Sequence, residues 1–286
     1  MAAVTALGRD HCHTGTKARH GNIAAPVFGR AGCNWERLPL KLDEYHGSAR
    51  EQERVADLMS LLPRELGAVL DIGARDGYIS RRLADHAQSV TALDLELPAI
   101  DDPRITCVKG DATALEFDSG SFDLVFCAEV LEHIPGSSLE KACAEIARVS
   151  RHHVLIGVPY RQDLRLWRTT CQQCEGINPP WAHVNSFDEA RLRGLFPGLT
   201  LVRQNFVGTA EPGTNAVSAW LMDRAGNPYG TYVQEEGCVH CGAKLVPRPS
   251  KTPTQSALTK LALGIRKAAN LPRKSHGNWV HLLLGK

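Results

Sequence analysis

Apolar residues recur along this chain with two different periods, and the way those periods take turns predicts its architecture. Val55, Leu58, Met59, Leu61 and Leu62 keep helical spacing before Pro63, which predicts a helix that begins near Asp43 and feeds into a first strand. Short aliphatic runs follow at 68–72, 89–94, 105–108, 122–127 and 153–158, with helical stretches near 77–86 and 138–149 among them. Strands alternating with helices predict a mostly parallel sheet with helices on both faces. A helix near 187–195 then precedes a sixth strand, Leu199 to Val207. The segment Asn278 to Leu284 closes the chain as a seventh strand, with a short helical or disordered tail as its competing reading.

Residues 1–40 are rich in Gly, Ala, His and Arg without periodicity, so they are expected to be a poorly ordered extension or an over-long start, leaving 41–286 as the domain. A chain of 286 residues that is 43% hydrophobic is large enough for a full α/β core with insertions. Its formal net charge of +2 gives no electrostatic case for a polyanionic partner, so nucleic acid is not expected. No apolar run near the start has the form of a signal peptide and none reaches a membrane span, which leads to the expectation of a cytoplasmic protein.

Chemistry enters at Val69-Leu70-Asp71-Ile72-Gly73-Ala74-Arg75-Asp76-Gly77-Tyr78-Ile79-Ser80. A buried strand that breaks across glycines into a helix makes a ligand cradle, because small residues let backbone N–H groups approach a bound molecule. The dinucleotide fingerprint demands G-x-G-x-x-G for its pyrophosphate. Only Gly73 and Gly77 are present here, and Asp71 suits a cationic or hydroxyl-bearing ligand better than a phosphate.

This stretch resembles motif I of the class I S-adenosylmethionine (SAM)-dependent methyltransferases, small-molecule type, whose pattern is Asp/Glu-x-Gly-x-Gly-x-Gly. Arg75 departs from it at the middle glycine, and a negative φ there would keep the backbone amides in place. The resemblance continues through Asp94, which matches the acidic position that accepts hydrogen bonds from the ribose hydroxyls. It extends through Gly110-Asp111-Ala112 at the adenine edge to Ala128-Glu129-Val130-Leu131-Glu132-His133-Ile134 after the fourth strand. It implies a Rossmann-like α/β fold with seven strands, the last antiparallel beside the fifth and sixth. It also implies SAM as cofactor, held by Asp71, Gly73, Gly77, Asp94, Asp111, Ala112 and Glu129. Val158-Pro159-Tyr160-Arg161, a Cys-x-x-Cys and the Trp181, His183 and Phe187 cluster are similar to a loosely characterised group of bacterial methyltransferase-like proteins, over nearly residues 40–286.

Four of nine cysteines form two Cys-x-x-Cys pairs, Cys171/Cys174 and Cys238/Cys241, within stretches 160–186 and 209–277 that read as insertions. Such pairs can each clasp one side of a tetrahedral Zn²⁺, with Gly176 and Gly242 supplying the turns; two disulfides or a redox pair compete with that reading. Both pairs follow strands that end at one edge of the sheet, so a structural zinc is expected to clamp a substrate lid above the cradle, or simply to staple a long insertion.

Methyl transfer needs an in-line nucleophile and a proton acceptor, for which His183 and His133 are the candidates. Glu129, Glu132 and His133, with a later histidine, also resemble the Mg²⁺ site of small-RNA 2′-O-methyltransferases, which leaves a second metal open. Lys251, Lys260, Arg266, Lys267, Arg273 and Lys274 accompany an apolar face of Leu258, Leu261, Ala262 and Ile265. This segment, 254–274, reads as an amphipathic helix docked on the domain, with a surface for anionic lipid or a phosphorylated substrate as the competing role. The expected activity is methyl transfer to a hydroxyl or amine of a small molecule, with a sugar or glycoconjugate as the narrower expectation. The alternatives are an RNA methyltransferase and a catalytically silent SAM-binding or zinc-scaffolded interaction protein.

Overall fold

The computed structural model describes residues 42–234, 236–270 and 276–286; the expected extension over 1–40, and Arg273 and Lys274 of the basic segment, lie outside them. Helices α1 (Leu42–His46) and α2 (Ala49–Ser60) lead into β1 (Leu66–Ile72), α3 (Tyr78–Ala84), β2 (Ala87–Asp94), β3 (Ile105–Lys109) and β4 (Phe122–Ala128). Then come α4 (Gly136–Val149), β5 (Ser150–Pro159), a two-strand hairpin of β6 (Thr169–Thr170) and β7 (Ile177–Asn178), α5 (Glu189–Leu195) and β8 (Thr200–Val207). Helices α6 (Ala216–Arg224) and α7 (Pro253–Asn270) precede the closing strand β9 (Trp279–Gly285).

The main sheet has seven strands in the order β3-β2-β1-β4-β5-β9-β8. The first five are mutually parallel, and β9 runs antiparallel between β5 and β8, as the resemblance implies for the closing strand. Period-two burial explains the layers. Leu70, Ile72, Val125 and Cys127 face α4 and α5 through Leu139, Ile146 and Leu192, while Val69, Leu124 and Phe126 face α2 and α3 through Leu58 and Leu83. Every residue of β9 is buried, and each fully buried Leu or Val contributes about 1.5–3 kcal/mol. This burial rules out the tail reading. Because β1 pairs with both β2 and β4, the chain reverses its winding there, and the carboxyl ends of these strands are where such sheets place a ligand.

Three local features differ from the sequence expectation. The first helix is interrupted: Ser48, extended at φ −69° and ψ 140°, caps α2 by accepting from the Glu51 amide at 3.2 Å. Helix α6 was not anticipated, because its apolar residues do not gather on one face; Asn215 caps it through the Ser218 amide, and Ser218 Oγ donates to the Ala262 carbonyl of α7. The β6–β7 hairpin is too short for any periodicity to announce it. Among the described residues, no helix is long and apolar enough to cross a membrane.

Candidate active site and cysteine centre

The cradle forms where β1 ends. Gly73 and Gly77 adopt φ of +81° and +78°, and a Cβ at either would press into Val130 at 2.4 Å or Ile100 at 2.6 Å. Glycine is therefore required twice over, by backbone conformation and by space. Gly73 and Ala74 donate their amides to the Leu93 carbonyl at 2.8 and 3.1 Å, which ties the turn to the end of β2. Arg75 contradicts its expectation: its φ is +49°, not negative. The left-handed turn survives without the middle glycine because the Arg75 amide donates to Asp94 Oδ2 at 2.8 Å. Asp94 Oδ1 also accepts from the Leu95 amide at 2.7 Å.

The acidic residues divide by environment. Asp71 is buried beneath the turn, where it accepts from Ser80 Oγ at 2.5 Å. Burial pushes its carboxyl up to about 7, partly opposed by the Ser80 bond. Asp71 thus braces β1 against α3. Asp111 is exposed and caps its own turn through the Thr113 amide at 2.8 Å, while neighbouring Ala112 is buried. Glu129 follows β4 at φ +57°, and its amide donates to the Gly157 carbonyl. Burial raises its carboxyl, against the charge of Arg54 and a hydrogen bond from Trp279.

Sequence reading missed Arg54. This residue is buried in α2 and makes a bidentate pair with Glu51 at 2.6 and 2.8 Å, yet among the described residues its Nη1 has no partner, and neither has Glu129 Oε1. An unpaired buried donor and an unpaired buried acceptor at the carboxyl edge suit a zwitterionic ligand group. A charged pair inside an otherwise apolar helix face, Glu51 and Arg54, is the signal that could have found it.

The two candidate histidines come together. The rings of His133 and His183 lie edge-to-face with centroids 4.6 Å apart, and potential ligand atoms of Glu132, His133 and His183 all fall within 4.8 Å of one another. Glu129 is not a member of this group. Backbone bonds hold the two segments in place: Val184 and Asn185 donate their amides to the Glu132 carbonyl, and Asn185 Nδ2 donates to the Leu131 and Ile134 carbonyls. Asn185, another residue missed in the sequence, is fixed in turn by Arg191 at 2.8 Å. His183 Nδ1 donates to Gln162 Oε1 at 2.7 Å, leaving Nε2 with its lone pair. Burial, and secondarily the neighbouring His133, lower its pKa to about 3. His133 is lowered chiefly by burial as well. Glu132 is fully buried, and among the described residues neither carboxylate oxygen has a hydrogen-bond partner. Its carboxyl is raised well above the ordinary range, by burial and then by Glu129.

Gln162 also lines a cavity of about 560 Å³ bordered by Arg161, Arg165, Ser186, Glu211 and His276. The cavity adjoins the histidine pair through this one side chain.

The four cysteines converge. Cys171 Sγ and Cys241 Sγ are 3.8 Å apart, Cys174 Sγ and Cys238 Sγ are 3.6 Å apart, and all four sulfurs lie within 4.8 Å of one another as free thiols. A tetrahedron of thiolates about 2.3 Å from Zn²⁺ has edges of about 3.8 Å, so the donor set and the spacing both fit that ion. The turns have the form expected: the Gly176 carbonyl accepts from the Cys171 amide, and Gly242, at φ +73°, donates to the Cys238 carbonyl at 2.7 Å. Although burial opposes it, hydrogen bonds from the His240 and Cys241 amides bring the Cys238 thiol down to about 6. The same module reaches the histidines, since the Trp181 amide donates to Thr231 Oγ1 at 3.2 Å.

Residues 70–156, from β1 to β5, match the family model described as a methyltransferase domain. The chain is 28% identical over 175 residues to the malonyl-[acyl-carrier protein] O-methyltransferase of Salmonella typhimurium, covering 57% of this chain and 62% of that one. It is 36% identical over 91 residues to the ubiquinone biosynthesis O-methyltransferase of Aromatoleum aromaticum, covering 28% and 39%. The matches thus span less than two thirds of the length of these relatives. Among solved structures, the N-methyltransferase NodS of Bradyrhizobium japonicum, in complex with S-adenosyl-L-homocysteine, is similar with a TM-score of 0.48 and 22% identity, over 58% of this chain and 83% of that one.

Proposed function

We propose that this chain is a SAM-dependent methyltransferase acting on a small molecule. The observation that carries the reading is the cradle at the winding reversal, where left-handed Gly73 and Gly77 stand beside the Asp94 carboxylate at the end of the neighbouring strand. In this reading the Asp94 carboxylate takes the ribose hydroxyls, Asp111 and Ala112 border the adenine, and Asp71 holds the turn. Glu129 and Arg54 meet the amino and carboxylate groups of the methionine end, for which their unpartnered atoms are suited. SAM supplies an electrophilic methyl group; the chain's own part is to align an acceptor and manage its proton.

The two relatives described above are O-methyltransferases by name, which favours an oxygen acceptor; a hydroxyl, and more narrowly a sugar or glycoconjugate, is the proposal for this chain. The four cysteines are proposed to hold a structural zinc that keeps the His183 segment and the cavity wall in register, leaving the methyl chemistry itself away from the metal. A cytoplasmic location is part of the same proposal. The test is incubation with methyl-labelled SAM and a small-molecule extract. Label in a low-molecular-weight product supports the reading, and label confined to RNA, or no S-adenosylhomocysteine released, overturns it.

A second reading concerns the proton. With a pKa near 3, His183 is a weak base at neutral pH, and Glu132 presents two buried oxygens without partners among the described residues. Glu132, His133 and His183 together suit a divalent cation that would lower the pKa of an acceptor hydroxyl, with Gln162 orienting the His183 ligand. Manganese titration of zinc-loaded protein separates the two routes. One bound Mn²⁺ per chain, lost in Glu132→Gln, favours the cation; no binding favours His183 or His133 acting directly.

A further inference from the structure

The last fifty residues, 237–286, hold nine Lys and Arg and no Asp or Glu, in a chain whose whole net charge is only +2. The positive charge is thus gathered at one end of the sequence, and Lys260, Arg266 and Lys267 of this group lie on α7. Outward-facing positions of α7 are Ala257, Lys260, Leu261, Gly264, Lys267 and Ala268, which recur at helical spacing and form one stripe. On α6 the exposed residues are Ala216, Val217, Trp220 and Arg224. The inner faces are used up within the hairpin, where Thr259 and Ala262 are buried and Ser218 bonds the Ala262 carbonyl.

Three large apolar side chains stay in water on these two helices: Val217 is 56% exposed, Trp220 55% and Leu261 54%. Nearby acids are already engaged. Asp223 accepts from Arg168 at 3.0 Å and from Asn227, and Glu211 is taken by Arg266 and the Trp167 indole. Among the described residues no carboxylate pairs with Lys260, Lys267 or Arg224, and Arg224 instead lies over the Trp220 ring at 5.5 Å. Two kinds of polyanion could meet such a surface. A nucleic acid could pair with the charges and stack a base on Trp220, but it would leave Val217 and Leu261 in water. An anionic bilayer satisfies both at once, with ammonium and guanidinium groups at the headgroups, Trp220 at the interface, and Val217 and Leu261 in the acyl boundary.

We propose that the outward face of the α6–α7 hairpin docks on an anionic lipid surface. The hairpin also bounds the cavity described above: Arg266 donates to the Pro212 and Gly213 carbonyls and Asn270 to the Gly213 carbonyl, so α7 holds part of the cavity wall. Docking there brings this cavity, which Gln162 joins to the His183 side chain, close to a membrane. The inference is independent of the cofactor assignment.

The test is sedimentation of the full-length protein with vesicles of phosphatidylcholine alone and of phosphatidylcholine mixed with phosphatidylglycerol. Binding to the mixed vesicles at least tenfold stronger than to the neutral ones, and weakened by 0.5 M salt, is expected. Lys260→Glu with Lys267→Glu should abolish it, and Trp220→Ala should weaken it several-fold. Both variants are expected to keep the far-ultraviolet circular dichroism and SAM affinity of the parent. Equal binding to both vesicles, no binding to either, retention of an RNA oligonucleotide in place of vesicles, or undiminished binding by the double variant would each overturn the proposal.

Discussion

His183 meets His133 edge-on, ring centroids 4.6 Å apart, although one belongs to the connection after β5 and the other to the segment after β4. Burial lowers the pKa of both rings, and the neighbouring His133 adds to the effect on His183. With its folded pKa near 3, His183 binds no proton in the window where the unfolded chain, with an ordinary histidine pKa of about 6.5, does. The group is depressed on folding, so its stabilisation is present above about pH 6.5 and is lost as pH falls toward 3. The slope is about 1.4 kcal/mol per pH unit for one proton. Urea unfolding between pH 7 and 4.5 should show this slope, and His183→Gln should flatten it. An unchanged slope would mean that His183 titrates normally in the folded protein.

Gly77 offers a direct probe of the cradle. Its φ of +78° and the approach of Ile100 leave no room for a methyl group, so Gly77→Ala should cost about 1–3 kcal/mol of stability and weaken SAM. Relieving the clash with Ile100→Ala in the same chain should restore only part of it, since the backbone strain persists. Full restoration of the unfolding midpoint would show that the conformation itself carries no penalty.

Arg54 is held by Glu51 in a buried pair and faces Glu129. Replacing it with Met strands two carboxylates, and a loss of about 3–5 kcal/mol is expected. The double change Arg54→Met with Glu51→Met should recover much of that stability but not cofactor affinity, if Arg54 also meets the methionine end of SAM. Recovery of both would reduce Arg54 to a structural role.

The cysteine centre predicts a stoichiometry. Metal analysis should find one zinc per chain, absent from a Cys171→Ser, Cys174→Ser double variant, whose loops 160–178 and 228–243 should become protease-sensitive. Folded, zinc-free protein purified with all four cysteines intact would remove the metal from the account.

Much of this was legible because its signals are local. The strands of the sheet and the Gly73–Gly77 turn follow from burial on both faces and from backbone conformations only glycine takes easily. The convergence of the cysteines followed from residue type and spacing, combined with the edge at which β5 and β8 end. Other features depend on tertiary partners that no period encodes. The left-handed Arg75 is stabilised by Asp94, a residue in the next strand, and so reads from sequence as a defect in a motif. Arg54 resembles a solvated helix residue until Trp279, from the far end of the chain, covers it; its guanidinium lies 5.9 Å from that indole. The grouping of Glu132 with His183 depends on bonds from Val184 and Asn185 to the Glu132 carbonyl, which are invisible in either segment alone.

The central claim is that the β1–β2 edge holds SAM, and calorimetric titration of the cofactor into the wild-type chain and into Asp94→Ala tests it most directly. One SAM per wild-type chain is expected, with affinity lowered in the variant by about 1–3 kcal/mol for the lost charge-assisted hydrogen bonds. Equal affinities in the two proteins, or no heat of binding in the wild type, would contradict it.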